Sequence, residues 1–374
     1  MKMWPLRNAR GAQSAPTGWG RPSIHARWVS TTLLGALLLL AGFARASDVC
    51  PEASTLADYP PTVGLRVDND LFANQDQGYT SGVQLSLTSP NLVDYVDDPC
   101  LPAPARWLNR YLEFIQPDGF DQQNMVVTVE QSIFTPSDPM RTDLIVDDRP
   151  YAGALLLGLG YNARKGDDLR TSQLVVGMVG PAALAEQSQD FIHDILDAEK
   201  FQGWDNQLHN EPVLMLVHER IRRLPAMPIG NSGLAWDANV HAGAALGNLY
   251  THANTGFEVR IGLRLPDDFG TSPVRPTGNN TSPTIGRRFT NGWSWHAFLA
   301  TDARWVGRNI SLDGNTFRDS HGVERQPWVA DAAMGAAVIY GRTKFAFARY
   351  FRTREFEGQR DTPSYGSFTI SRAF

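Results

Sequence analysis

Two neighbouring stretches of the chain alternate with a period of two, and that alternation constrains the fold more than any other feature. In the first, Leu234, Trp236, Ala238 and Val240 alternate with Asp237, Asn239 and His241. In the second, Phe257, Val259, Ile261 and Leu263 alternate with Glu258, Arg260 and Arg264. A period of two is that of a β-strand whose two faces meet different surroundings. Val83, Leu85 and Leu87 repeat it against Gln84, Ser86 and Thr88, and Met125, Val127 and Val129 against Thr128 and Glu130. Alternation alone does not say which face is inside. A soluble sandwich turns its polar face to water, whereas a barrel in a bilayer turns its apolar face to lipid.

The N-terminus bears on that choice. Met1 to Ala46 holds six basic residues (Lys2, Arg7, Arg10, Arg21, Arg27, Arg45) and no acid, then the apolar run TTLLGALLLLAGFA and the small-residue site Ala44-Arg45-Ala46. This reads as a secretory signal peptide, with cleavage before Ser47. Its apolar run is shorter than the ~20 residues a spanning helix needs. Of 34 Lys and Arg, 28 then remain against 39 acids, a formal charge near −11, which argues against a nucleic-acid partner. No later run approaches a transmembrane helix, the longest being AGALLLGLG at Ala152 to Gly160. In a membrane, only a closed barrel is left. The two cysteines, Cys50 and Cys100, are expected to form a disulfide in an oxidising compartment.

Three features favour a transmembrane barrel. Trp293, Trp295, Trp305, Tyr340, Phe345, Phe347 and Phe351 lie near strand ends, as interfacial girdles do. The chain closes on SYGSFTISRAF, alternating to a terminal Phe374 in the manner of bacterial outer-membrane barrels. Candidate strands start near Thr62, Tyr79, Gln123, Pro150, Arg170, Glu211, Leu234, Gly256, Trp293, Trp328, Arg342 and Ser364. That gives about twelve antiparallel strands, an even number. The expected class is therefore all-β, a barrel over 47–374 with short helical loop insertions. If the N-terminus is periplasmic, odd-to-even connections face outward. Two periplasmic connections, Pro90 to Gln122 and Pro266 to Gly292, are then longer than short turns, and the first contains the helical pattern ARWLNRYLEFI.

Chemistry-bearing residues gather in the outward connections. Gly180 to Pro212 is a polar insertion, helical from Ala182 to about Ala198, in which Gln189 and His193 share one face at a spacing of four. Glu199 joins them only if the helix ends near Ala198, which Gly203 downstream permits. The other reading of this stretch is a surface helix with a solvated histidine. In VDNDLFANQDQGYTSG, Asn69 and Asp70 sit at the outer rim and Thr80 begins the returning strand. They offer oxygen ligands to a hard cation that Glu199 could close, or else a turn in which Asn69 and Asp70 bond their own backbone. Arg141 lies in the second outward connection and His209 at a strand entrance. No G-x-S-x-G, H-E-x-x-H or P-loop motif is present.

In this order NDLF, YTSG, TPSDPMRTDLIVDDRPYAG, GPAALAEQSQDFIH and GWDNQLHNEP resemble the blocks of the LpxR family of outer-membrane lipid A 3′-O-deacylases, from about Val67 to Pro212. The resemblance implies a twelve-stranded barrel, with its site between the wall and the outer loops. It also implies calcium-dependent hydrolysis of the lipid A 3′ ester, releasing an acyloxyacyl group, with lipopolysaccharide as partner; a monomer is the expected state, though the sequence does not carry it. Carried over, the family's Asn-Asp pair falls on Asn69 and Asp70, its threonine on Thr80, its histidine on His193, its acid on Glu199 and its helical glutamine on Gln189. Arg141 takes the basic position thought to meet the sugar phosphates, and Phe201 stands where the family can carry an aromatic hydroxyl. Water activated by His193 would attack directly, with calcium on Asp70 and Glu199, and Asn69 and Thr80 orienting water or carbonyl. The rival readings are an outer-membrane phospholipase with Ser81 as nucleophile, and a non-catalytic barrel.

Overall fold

A computed structural model describes residues 60–70, 78–197, 199–271 and 292–374. The expected signal segment and Cys50 lie outside the described residues; Cys100 is half-buried. Twelve strands form one closed sheet: β1 Thr62–Asn69, β2 Gly78–Thr88, β3 Gln122–Thr135, β4 Ala152–Lys165, β5 Asp168–Val179, β6 Glu211–Pro228, β7 Leu234–Gly247, β8 Tyr250–Leu263, β9 Trp293–Asn309, β10 Trp328–Tyr340, β11 Thr343–Arg352 and β12 Ser364–Ala373. Each pairs antiparallel with its sequence neighbours, and β1 seals against β12 from Thr62↔Ala373 to Asn69↔Gly366. The strand starts follow the sequence expectation closely except at β8. It begins six residues before Gly256, because His252 and Asn254 continue its inward row while the outward residues there are only Ala253 and Thr255.

The alternation now resolves as apolar outward. On β8, Glu258 and Arg260 are buried while Phe257, Val259 and Ile261 are exposed; on β6, Glu219 and Met215 are buried and Leu214 and Leu216 exposed. Trp293 and Tyr340 pack their rings 4.6 Å apart at one end of the wall, and Trp305 stands beside Trp328 at the other. The twelve residue steps from Trp293 to Trp305 cover about 40 Å of strand, roughly 30 Å along the axis at a tilt near 40°, which matches a bilayer core. No helix among the described residues is long and apolar enough to cross a membrane.

Inward charges are paired, as they must be away from water. Arg260 donates to Asp237 at 2.6 and 2.8 Å and also pairs with Asp268; Arg304 and Arg352 both grip Asp331; Arg149 meets Glu355 at 2.5 Å. The long connection after β8 explains part of this network. Its first residues, from Leu265 to Thr271, fold back into the lumen at the end that carries the termini. There Asp267 meets Arg164 and Arg223, Asp268 meets Arg260 and Lys344, and Phe269 packs with Leu169 and Ile221. Near the opposite end an apolar cluster that includes Ala154, Met215, Tyr250 and Val306 fills the interior. The lumen is a packed core.

Outward positions of β3 to β5 are mostly covered, unlike those of β6 to β11, because two connections lie over that wall. The β2–β3 connection carries helix α1, Ala103–Tyr111, which starts at the Pro102–Pro104 pair and packs near the termini end. The β5–β6 connection carries helix α2, Ala185–Leu196, near the other rim.

Candidate active site

Helix α2 lies against the outside of the barrel. On β4 the residues Ala152, Ala154 and Leu156 face the lumen cluster, so Gly153 faces out, and a Cβ there would come within 2.4 Å of the Ala185 methyl. A glycine at this position allows the close approach. Next to it on β3, the Gln131 amide donates to the Ala183 carbonyl at 2.6 Å. Ile133 packs with Tyr151, Ala185, Phe201 and Trp204. These contacts fix one face of α2 on the wall. Along that face run Ala185, Gln189 and His193, all buried, while Phe191 and Ile195 project away from it.

The helix ends one residue before Asp197, whose left-handed backbone (φ 52°) reverses the chain. Lys200 then returns along the helix, 2.7 Å from Asp194 and 3.9 Å from Asp190, and these carboxylates hold its ammonium pKa above the usual value. The reversal places the Glu199 carbonyl 2.5 Å from His193 Nδ1. A carbonyl can only accept, so Nδ1 carries the proton and Nε2 keeps its lone pair. Phe201 packs edge-on to the imidazole at 5.9 Å between centroids. Trp204, its ring tilted against that of Tyr151 at 4.9 Å between centroids, donates its indole N–H to Gln189 Oε1 at 3.1 Å. That contact orients the amide and leaves Gln189 Nε2, buried, without a hydrogen-bond partner among the described residues.

The neighbouring strands extend the same outward surface. Thr80 lies at a bulge in β2 and its hydroxyl is 2.6 Å from that of Thr135, two residues along β3 from Ile133. Asn69 ends β1 on the face shared by Leu65 and Val67, opposite Ser81. Asp70 follows it and is buried. The connection holding Arg141 is tied to the segment after α2: Gln202 N–H donates to the Pro139 carbonyl at 2.8 Å and the Asn206 amide to the Thr142 carbonyl at 2.9 Å. Gly203 is needed there, since a Cβ would lie 2.8 Å from the Arg141 carbonyl. The Arg141 side chain itself is exposed and chelates Asp143 at 2.5 and 3.0 Å, which lowers the Asp143 pKa.

Gln189, His193 and Glu199 therefore meet, but Glu199 does so through its backbone while its side chain is exposed. Thr80 and Asn69 share the adjoining outward surface. Arg141 sits on the loop behind Gly203. His209 is a strand-entrance residue, its N–H bonded to Asn315. Among the described residues no group of three or more His, Cys, Asp or Glu side chains is placed to hold a metal. Sequence reasoning did not single out Trp204, Tyr151 or Thr135. Trp204 does stand beside Gly203 in the GWDN block, where a tryptophan in a polar insertion is itself a sign of packing.

The fold is shared with one known structure, and two others align at lower TM-scores. LpxR from Salmonella typhimurium aligns over 84% of this chain and 100% of its own, at 20% identity and a TM-score of 0.63. The β domain of the Bordetella autotransporter BrkA aligns over 85% and 100% respectively, at 9% identity and a TM-score of 0.39. The KdgM porin aligns over 84% and 99%, at 5% identity and a TM-score of 0.31. Comparison with curated proteins gives no match. The family model described as "Outer membrane protein LpxR" matches residues 33–374. The chain thus belongs to the LpxR family of outer-membrane barrels.

Proposed function

We propose that this protein hydrolyses the ester that holds the 3′-acyloxyacyl group of lipid A, in the outer leaflet of the outer membrane, with calcium as its cofactor. The observation that carries this reading is His193: an imidazole on the lipid-facing side of the barrel, buried, with Nδ1–H tied to a carbonyl so that Nε2 can act as a base. A site outside the wall suits a substrate that is itself a membrane lipid. Phe191 and Ile195, exposed on the far side of α2, add apolar surface of the kind acyl chains contact.

In the proposed reaction Nε2 of His193 takes a proton from water as the oxygen attacks the ester carbonyl carbon. Collapse of the tetrahedral species breaks the carbon–oxygen bond to the sugar, and the imidazolium returns the proton to the departing 3′ oxygen. Glu199, through its carbonyl, holds the ring in one tautomer and stabilises the imidazolium. Gln189 Nε2 donates to the oxygen on which negative charge develops. Asn69 and Thr80 orient the water or the carbonyl. Arg141 exchanges Asp143 for a sugar phosphate, a change of bidentate anionic partner.

The donors proposed for the metal are all oxygens, carboxylates from Asp70 and Glu199, which suits a hard cation such as calcium. Bound there, calcium would polarise the ester carbonyl as a Lewis acid. The test is incubation of the purified barrel with lipid A, in calcium and in excess chelator, with acyl loss read by mass spectrometry. Loss of the 3′ acyloxyacyl mass with calcium, and none with chelator, is expected. Unchanged lipid A under every condition would refute the activity, and full turnover in chelator would remove the metal.

A further inference from the structure

The β2–β3 connection covers the barrel wall at the opposite rim from α2. Its inner side packs Leu92, Tyr95, Leu101, Ala105 and Leu112 against Met125, Val127, Leu159 and Tyr161. Those wall residues point outward, because their neighbours Thr128 and Gln173 hydrogen-bond across the lumen side. Beneath the helix the Asn109 side chain donates to the Tyr95 carbonyl at 2.5 Å and accepts from the Tyr161 hydroxyl at 2.7 Å. The connection is therefore firmly seated on a surface that would otherwise face lipid.

Its other side is also apolar. Trp107, Tyr111 and Phe114 are 61%, 64% and 74% exposed, and the Trp107 and Tyr111 rings lie 4.9 Å apart. At about 100° per residue Trp107 and Tyr111 lie about 40° apart on α1, roughly opposite Ala105 and Asn109, which meet the wall; Phe114, in the short 3-10 turn Glu113–Ile115 that follows, is exposed as well. The aromatic stripe thus points away from the barrel axis, in the direction in which the lipid-facing residues of β6 to β11 point. A helix surrounded by water would place polar residues there. Tryptophan and tyrosine are the side chains enriched where acyl chains meet headgroups. On one flank lie Arg106 and Arg110, Arg110 in an exposed pair with Asp97 at 3.1 Å.

We propose that α1 and the turn that follows it form an interfacial anchor, seating Trp107, Tyr111 and Phe114 in the phospholipids of the leaflet nearest the chain termini, the periplasmic leaflet, with Arg106 and Arg110 toward their phosphates. The occupant is phospholipid because the stripe continues the lipid-facing surface of the wall. This assignment is independent of the chemistry proposed at α2.

The experiment compares the parent protein with Trp107→Phe in vesicles of phosphatidylethanolamine and phosphatidylglycerol, some containing chains brominated near the headgroup or near the terminal methyl. The difference between the two emission spectra isolates Trp107. Strong quenching by bromine near the headgroup, weaker quenching near the methyl end, and iodide quenching severalfold weaker than that of free tryptophan amide in the same buffer are expected. A Trp107 signal that iodide quenches fully and brominated lipid does not would overturn the proposal and leave the stripe to a water-borne partner. As a second measurement, nitroxides at Trp107→Cys and Tyr111→Cys, with Glu113→Cys as the flanking control, are read for collision with oxygen and with a water-soluble nickel complex. Oxygen dominance at the first two and nickel dominance at the control support the anchor; nickel dominance at all three overturns it.

Discussion

Gly153 gives the sharpest test of the idea that α2 must lie close against the wall. Replacing it with alanine introduces a Cβ 2.4 Å from the Ala185 methyl, with the Ala183 methyl at 3.3 Å. Carbon atoms prefer about 3.5–4.0 Å, so the wall and helix must part by about 1.3 Å at this point. Both surfaces are backbone-anchored, and no flexible side-chain end is available to yield. Since a misplacement of about 1 Å can cost about 100-fold in rate, deacylation by Gly153→Ala should fall by about two orders of magnitude. The barrel should still insert and show heat-modifiable migration, because the new methyl points out of the sheet. The double variant Gly153→Ala with Ala185→Gly moves the methyl across the interface instead of adding one. It should recover most of the activity, less the ~1 kcal/mol that glycine costs in a helix. Rates measured by mass spectrometry on lipid A decide the matter. Wild-type turnover by Gly153→Ala, or failure of the double variant to exceed the single one, would show that close seating of α2 does not govern the site.

Three further outcomes follow from the same structure. His193→Ala should lose hydrolysis by at least ~100-fold, the lower end for a general base, while Ser81→Ala keeps it; the reverse pattern in the lipid A assay would favour a serine nucleophile. Asp268→Ala leaves Arg260 with one fewer carboxylate and Lys344 without its 3.1 Å partner, at a cost of about 3–5 kcal/mol for a broken buried pair. A lower unfolding temperature and ion conductance in planar bilayers are expected, and a silent bilayer with unchanged stability would show that the Leu265 to Thr271 segment does not close the lumen. Peptide mapping without reductant should recover Cys50 linked to Cys100; a free thiol on Cys50 would remove that bond.

The barrel was legible because membrane strands repeat a period of two over many residues, and the aromatic ends and terminal Phe374 gave the alternation its direction. Legibility failed where partners are far apart in the chain. Nothing near Asp267 or Asp268 announces that Arg164, 103 residues earlier, will receive one of them. The pattern ARWLNRYLEFI announced a helix but not that it lies on the wall, since the outward residues of β3 and β4 that cover one of its faces come together only in the assembled barrel. Within the site, the spacing of Gln189 and His193 was readable. The contact from Glu199 was not readable in its actual form, because it comes from a backbone oxygen, and any residue at that position could supply it. Trp204 reaches Gln189 only once the chain has reversed at Asp197.

The uneven cover of the wall has a consequence for traffic in a crowded membrane. Strands β6 to β11 present bare pleated surface, on which a neighbouring barrel can rest flat. Across β3 to β5, α1 and α2 stand out from the pleat, one toward each end, and keep such a neighbour at a distance. The molecule has a back that tolerates close company and a front that holds a strip of free lipid open.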